Sequence, residues 1–154
     1  LIALDTDGLH RMSDYTQVAF WLKKTLRDAG KKFTIVMMHH PVYSTAEGRF
    51  NPFIWLAFHG AMREVDIVFS GHDHNYARHT EHYKARFWKK EEPTIFIGTN
   101  ASTKKYPVKE NIKFEASLSG EPVYEYILVT PTTLDISTYN LHSGEIIDDV
   151  EIVR

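Results

Sequence analysis

Two short stretches hold the residue types that do chemistry. One is Val36-Met37-Met38-His39-His40-Pro41-Val42-Tyr43, the other Phe69-Ser70-Gly71-His72-Asp73-His74-Asn75-Tyr76. Four of the chain's nine histidines fall in them. Neutral imidazole is the commonest metal ligand of proteins. A His-x-His pair following Gly71 presents two rings to one small volume, and glycine lets the backbone turn tightly to do so. A single histidine is ordinarily a surface group or a satisfied core group. Two clusters at matching strand ends are different, because polar groups at such a place must find partners. His39, His72 and His74 are therefore the candidate metal ligands. The chain has no cysteine, so a site here would be built of imidazole and oxygen. Such a site suits iron, zinc or manganese better than copper(I).

The elements that must position these residues can be read from pattern. Leu1–Leu4 reads as a short buried strand, broken by Asp5-Thr6-Asp7-Gly8. Ser13-Asp14 marks a helix start, with Gln17 placed to complete a capping box from Asp14. Val18, Trp21, Leu22, Thr25 and Leu26 follow at helical spacing, and Gly30 is the stop. Phe33–Met38 is a continuous apolar run, as expected of a strand covered on both faces. Asn51-Pro52 opens a second helix to about Glu64, and Asp66–Phe69 is another buried strand. Trp21, Trp55 and Phe58, at helical spacing, read as core. Strand, helix, strand, helix, strand implies βαβ units and a largely parallel sheet. Ligands of such sheets sit beyond the carboxyl ends of the strands, where both histidine stretches lie.

The second half reads differently. Thr94–Ile97 is a strand and residues 99–120 a long loop. His79 and His82 fall in a loop or edge strand. Lys84–Lys90 carries four basic residues, offset by Glu91-Glu92, and reads as solvated. Val123–Val129, Thr133–Tyr139 and Glu145–Val153 read as three strands, joined by turns too short for anything but antiparallel neighbours.

Composition narrows the function classes. The 154 residues include 18 basic and 20 acidic side chains, for a net charge of −2. That balance gives no signal for a general nucleic-acid or anionic-membrane binder. No apolar run approaches the roughly 20 residues of a membrane-spanning helix.

Val36-x-x-His39 followed by Gly71-His72-x-His74 resembles the last two motifs of the calcineurin-like metallophosphoesterases, and within them the purple acid phosphatase branch. Pro41 and Tyr43 after the first motif, and Asn75, Tyr76 and Arg78 after the second, support the likeness. The resemblance implies metal-dependent phosphoester hydrolysis at a dinuclear centre. His39 and His72 would each give a ligand to one ion and His74 to the other. It implies two divalent or trivalent ions, iron, zinc or manganese, in the complete protein. The isolated chain would bind one weakly or none. In the family, Asp-x-His, Gly-Asp-x-x-Asp or Tyr, and Gly-Asn-His lie upstream of these motifs. This sequence has none of them, and it opens on Leu1 within an apparent strand. The expectation is a single partial domain over 1–154: the C-terminal half of an α-β-β-α sandwich of α/β class. It would have a mixed sheet and a β-meander at its C-terminus. Such a half is expected to be inactive alone. Its expected partners are a phosphoester, the missing N-terminal half, and a second copy through the truncated face. The resemblance also favours export to a periplasm or the outside.

A two-metal site needs ions about 3.5–4 Å apart, bridged by a shared ligand and water. Three histidines supply part of two coordination shells and no bridge. His40 and Arg49 are the candidate catalytic residues and Tyr43 the candidate substrate contact. His40 either orients substrate or packs beside Pro41. In mammalian tartrate-resistant acid phosphatases the comparable loop reads Ala-Glu-His, and here it reads Ala46-Glu47-Gly48-Arg49. Arg49 is never a proton donor near neutral pH. It is either a fork for a phosphate oxygen or a solvated loop residue. Asp73 either supports a histidine or is exposed. The alternative function is a non-catalytic metal-binding or scaffold domain with a degenerate site.

Overall fold

The computed structural model describes residues 1–85, 88–89 and 92–154. The basic run after Lys84 thus falls partly outside the described residues. Three strands and two helices alternate first: β1 (Ile2–Leu4), α1 (Met12–Ala29), β2 (Ile35–Met38), α2 (Pro52–Met62) and β3 (Ile67–Ser70). β4 (Tyr76–Glu81) and a small antiparallel pair, β5 (Lys84–Ala85) and β6 (Trp88–Lys89), come next. β7 (Thr94–Gly98), β8 (Ala116–Leu118), β9 (Val123–Val129), β10 (Thr133–Asn140) and β11 (Ile146–Val153) complete the order.

One six-stranded sheet runs β1-β2-β3-β7-β4-β8. β1, β2, β3 and β7 are parallel, and β4 pairs antiparallel with both β7 and β8. The fold is mixed α/β with a C-terminal antiparallel meander, β11-β10-β9. Alternation along the central strands explains the layers. Val36, Met38, Val68 and Phe96 face the helix pair and pack with Leu22, Leu26, Ile54 and Phe58. Ile67, Phe69, Ile95 and Ile97 face the other way and pack with Val123, Leu134 and Ile136 of the meander. Fully burying one such side chain stabilises the fold by about 1.5–3 kcal/mol.

Several expectations change in detail. The residue before α1 is Arg11, and Asp14 is its third helical position. The Asp14 carboxylate accepts the N–H groups of Arg11 at 2.9 Å and His10 at 3.3 Å. It caps the helix backwards rather than opening a box toward Gln17. Gly30 does end the helix, at φ 55°. Trp21 and Trp55 are exposed, and of that aromatic trio only Phe58 is core. Trp55 instead stacks on His59 at 4.8 Å. β4, expected as a loop or edge, is an interior strand. It is tied to the meander because the Arg78 guanidinium donates to both Asp148 oxygens, at 2.5 and 3.0 Å. The expected loop over 99–120 contains β8. Among the described residues no helix is long and apolar enough to cross a membrane.

Candidate metal centre

β1, β2 and β3 are parallel neighbours, so their carboxyl ends emerge together. The pairing of β2 with β3 continues one step beyond the strands, where the Gly71 N–H donates to the His39 carbonyl at 3.1 Å. This contact fixes the two histidine stretches against one another. His39, His40 and His72 gather there, with ligand nitrogens all within 4.8 Å of one another. His72 Nδ1 lies 3.1 Å from His39 Nε2. The His40 ring lies 4.8 Å from that of His39 and 4.4 Å from that of His72.

The turn from Gly71 to Asn75 sorts its side chains by alternation. His72 and His74 adopt left-handed backbone, at φ 63° and 50°. Such backbone costs a non-glycine residue about 1–3 kcal/mol and survives only where surroundings enforce it. Gly71, expected to make the turn, has no positive φ, and a Cβ there would meet only His39 Nδ1 at 3.8 Å. The bend thus falls on the histidines themselves. What enforces it is Asp73 and Asn75, both 1% exposed. Asp73 Oδ2 accepts from the Ser44 hydroxyl at 2.9 Å, the Thr45 N–H at 2.6 Å and the Ala46 N–H at 3.2 Å. The Thr45 hydroxyl donates to Asn75 Oδ1 at 2.6 Å. Asp73, expected to be either a support or exposed, is a buried anchor for the loop that carries Arg49. Alternation around His72 and His74 is the signal that places it inside.

Arg49 stands beside the cluster. Its Nη2 lies 2.8 Å from His72 Nε2 and donates to the His72 carbonyl at 3.0 Å. Its Nε lies 3.4 Å from Asp73 Oδ1, and its guanidinium sits 4.6 Å over the Tyr106 ring. A guanidinium only donates, so His72 Nε2 is the acceptor. The proton of a neutral His72 is then on Nδ1, directed at His39 Nε2. Burial, then the Arg49 charge, pushes the His72 pKa down to about 4. Burial and the neighbouring His39 also lower that of His40. Both shifts favour the neutral form that binds metal.

Thr6, which carries no obvious signal in the sequence, positions His40. Its buried hydroxyl oxygen accepts the His40 backbone N–H at 3.1 Å and lies 3.2 Å from His40 Nδ1. Accepting from Nδ1 as well would leave His40 Nε2 free for a ligand, the arrangement that orients metal-binding histidines. His74 is placed elsewhere: its ring lies 5.5 Å from that of Tyr106, and it is not in the three-histidine group. Tyr43 faces an apolar cavity with Phe50, Trp55, His79 and Phe114. Its hydroxyl lies 2.6 Å from His59 Nδ1, and burial raises its pKa so that it stays a neutral phenol.

The donor set fits a metal ion. Two nitrogens sharing one ion at about 2.1 Å each stand roughly 3–4 Å apart, close to the observed spacing of His39 and His72. Among the described residues no carboxylate belongs to the group.

No curated protein matches the sequence. Two solved structures similar to the chain are both of Vps29 from Entamoeba histolytica. A double mutant is 14% identical with a TM-score of 0.39, and the match covers 88% of each chain. A single mutant is 12% identical with a TM-score of 0.37, covering 99% of this chain and 98% of that one. Residues 3–76, the stretch that holds His39, His40, His72, His74 and Arg49, match the model of the calcineurin-like phosphoesterase family.

Proposed function

We propose that this chain supplies the imidazole ligands of a metal-dependent phosphoester hydrolase, similar to the purple acid phosphatases. The observation that carries this reading is the convergence of His39, His40 and His72 at the ends of adjacent parallel strands. His39, His40 and His72 would hold one ion, the ring of His40 oriented by Thr6, and His74 would serve a second. When bound, the ions supply charge neutralisation at the phosphoryl group and acidify water. The chain's own residues do the rest. Thr6 orients the His40 ring, Asp73 fixes the 44–49 loop, and Arg49 offers a fork for a phosphate oxygen. The carboxylate bridge is supplied by residues outside this sequence, so the 154 residues alone are a partial domain.

A second reading, a non-catalytic metal-binding or scaffold domain with a degenerate site, is favoured by one contact. Arg49 stands 2.8 Å from His72 Nε2, where a cation would compete with it. Hydrolysis of a chromogenic phosphate ester with added manganese, zinc or iron separates the readings. The chain alone is expected to be silent. Activity is expected once the upstream residues of its own reading frame are restored, and it should be lost in His72→Ala. A restored protein that binds metal through His72 without turnover supports the non-catalytic reading.

A further inference from the structure

We propose that Arg49 is a resident cation of the metal centre: it holds the lone pair of His72 in the metal-free chain and gives it up when an ion binds. The proposal rests on the reading that the histidines hold a metal, and it goes beyond that reading in assigning what sets the affinity.

A neutral imidazole has one N–H and one lone pair. The lone pair of His72 is at Nε2, directed at Arg49 Nη2 2.8 Å away. Its N–H is at Nδ1, directed at His39 Nε2 3.1 Å away. One contact therefore occupies both the lone pair of His72 and, through the proton it fixes, that of His39. An ion cannot share His72 Nε2 with a donor, and it cannot use Nδ1 while a proton sits there. Ion and guanidinium exclude each other on chemical grounds, and their like charges oppose each other as well.

The surroundings show that Arg49 is held and not merely adjacent. Asp73 spends Oδ2 on the Ser44, Thr45 and Ala46 donors and leaves buried Oδ1 to Arg49 Nε at 3.4 Å. The Tyr106 ring covers the guanidinium from the other side. Gly48, at φ 67°, supplies the left-handed backbone just before Arg49. None of these three restraints involves the His72 ring. Releasing His72 Nε2 therefore leaves the guanidinium tethered at the site. It is then free to accept an anionic oxygen, such as one of a phosphoester, as its new partner. Arg49 thus alternates between closing the empty site and contacting the substrate of the loaded one.

Two measurements on the full chain test this. The first is the tautomer of His72 in the chelator-treated protein, read by long-range proton–nitrogen NMR. The wild type is expected to hold the proton on Nδ1. Arg49→Gln and Arg49→Met are expected to shift it toward Nε2. An unchanged tautomer in both variants overturns the proposal. The second is cobalt titration by visible absorbance and equilibrium dialysis. Both variants are expected to bind cobalt about ten-fold or more tightly than wild type, the scale on which groups behind the ligands tune affinity. His72→Ala should abolish the gain. Equal or weaker binding in the variants, with His72-dependent binding in wild type, overturns the competition and leaves the metal reading standing. No cobalt binding in any of them, with the tautomer shift present, overturns the metal reading and the competition with it. Circular dichroism confirms that the variants fold, and Arg49→Gln keeps a donor for Asp73 should Arg49→Met fail to fold.

Discussion

Asp73 Oδ2 accepts the backbone N–H of Thr45 at 2.6 Å, joining two loops 28 residues apart at the floor of the histidine cluster. This one carboxylate fixes the 44–46 segment, turns His72 and His74 outward, and balances the charge of Arg49. Removing it strands several buried donors and a guanidinium. Asp73→Ala is expected to lower stability by about 3–5 kcal/mol, the cost of breaking a buried, hydrogen-bonded charge pair. Urea unfolding checks this; a loss below about 1 kcal/mol would show that the carboxylate is not an anchor.

Stability of the metal-free chain should fall as pH drops from about 6.5, the unfolded histidine value, toward the folded His72 value of about 4. In that window the unfolded chain binds a proton that the folded site resists, so acid favours unfolding. Above the window the contribution is complete, and below it the loss has levelled off. His72→Gln should flatten this part of the stability–pH curve. Chemical denaturation at a series of pH values with chelator present is the measurement, and an equal slope in the variant would contradict the account.

Tyr76 is fully buried and its hydroxyl donates to Asp148 at 2.7 Å, beside the Arg78 pair. It joins β4 to the meander. Tyr76→Phe keeps the ring and removes one hydrogen bond to a charged group, so it should cost about 1.5–3 kcal/mol. The Thr138 hydroxyl, which donates to Tyr76 at 3.3 Å, loses its acceptor as well. A neutral substitution would mean that the layers are joined by apolar packing alone.

Phe58 lies fully buried among residues of both helices and the sheet. Phe58→Ala should cost about 3–5 kcal/mol, measured by denaturant unfolding. Trp55→Ala, one turn earlier on the same helix and partly exposed, should cost far less.

Much of this was legible from pattern because apolar periodicity reports burial. The continuous run to Met38 and the buried run at 67–69 became parallel β2 and β3, and the spacing from Val18 to Leu26 became α1. β4 was obscured because Arg78, His79 and Glu81 are polar for a strand inside a sheet. Beyond β7 its partners are a salt bridge and a three-residue strand, neither of which leaves a periodic trace. Trp21 and Trp55 have core chemistry at helical spacing but sit at the rim of their helices. At the site, His39 and His72 stood out from their strand ends. His40 reads from sequence as a catalytic candidate and not as a ligand, because strand alternation ends at Met38 and cannot say where the next side chain turns. Its direction is set by Thr6, 34 residues earlier. The anchoring role of Asp73 was hidden for a similar reason. Alternation between two histidines points this carboxylate inward, but only the fold brings the donors of the 44–46 loop over it.

The proposed metal ion is held by three converging imidazoles, those of His39, His40 and His72. Cobalt titration of the full chain and of four single alanine variants tests this arrangement most directly. His39→Ala, His40→Ala and His72→Ala should each weaken binding about ten-fold or more, while His74→Ala stays within about two-fold of wild type. Binding that survives His40→Ala and His72→Ala but is lost in His74→Ala would contradict it.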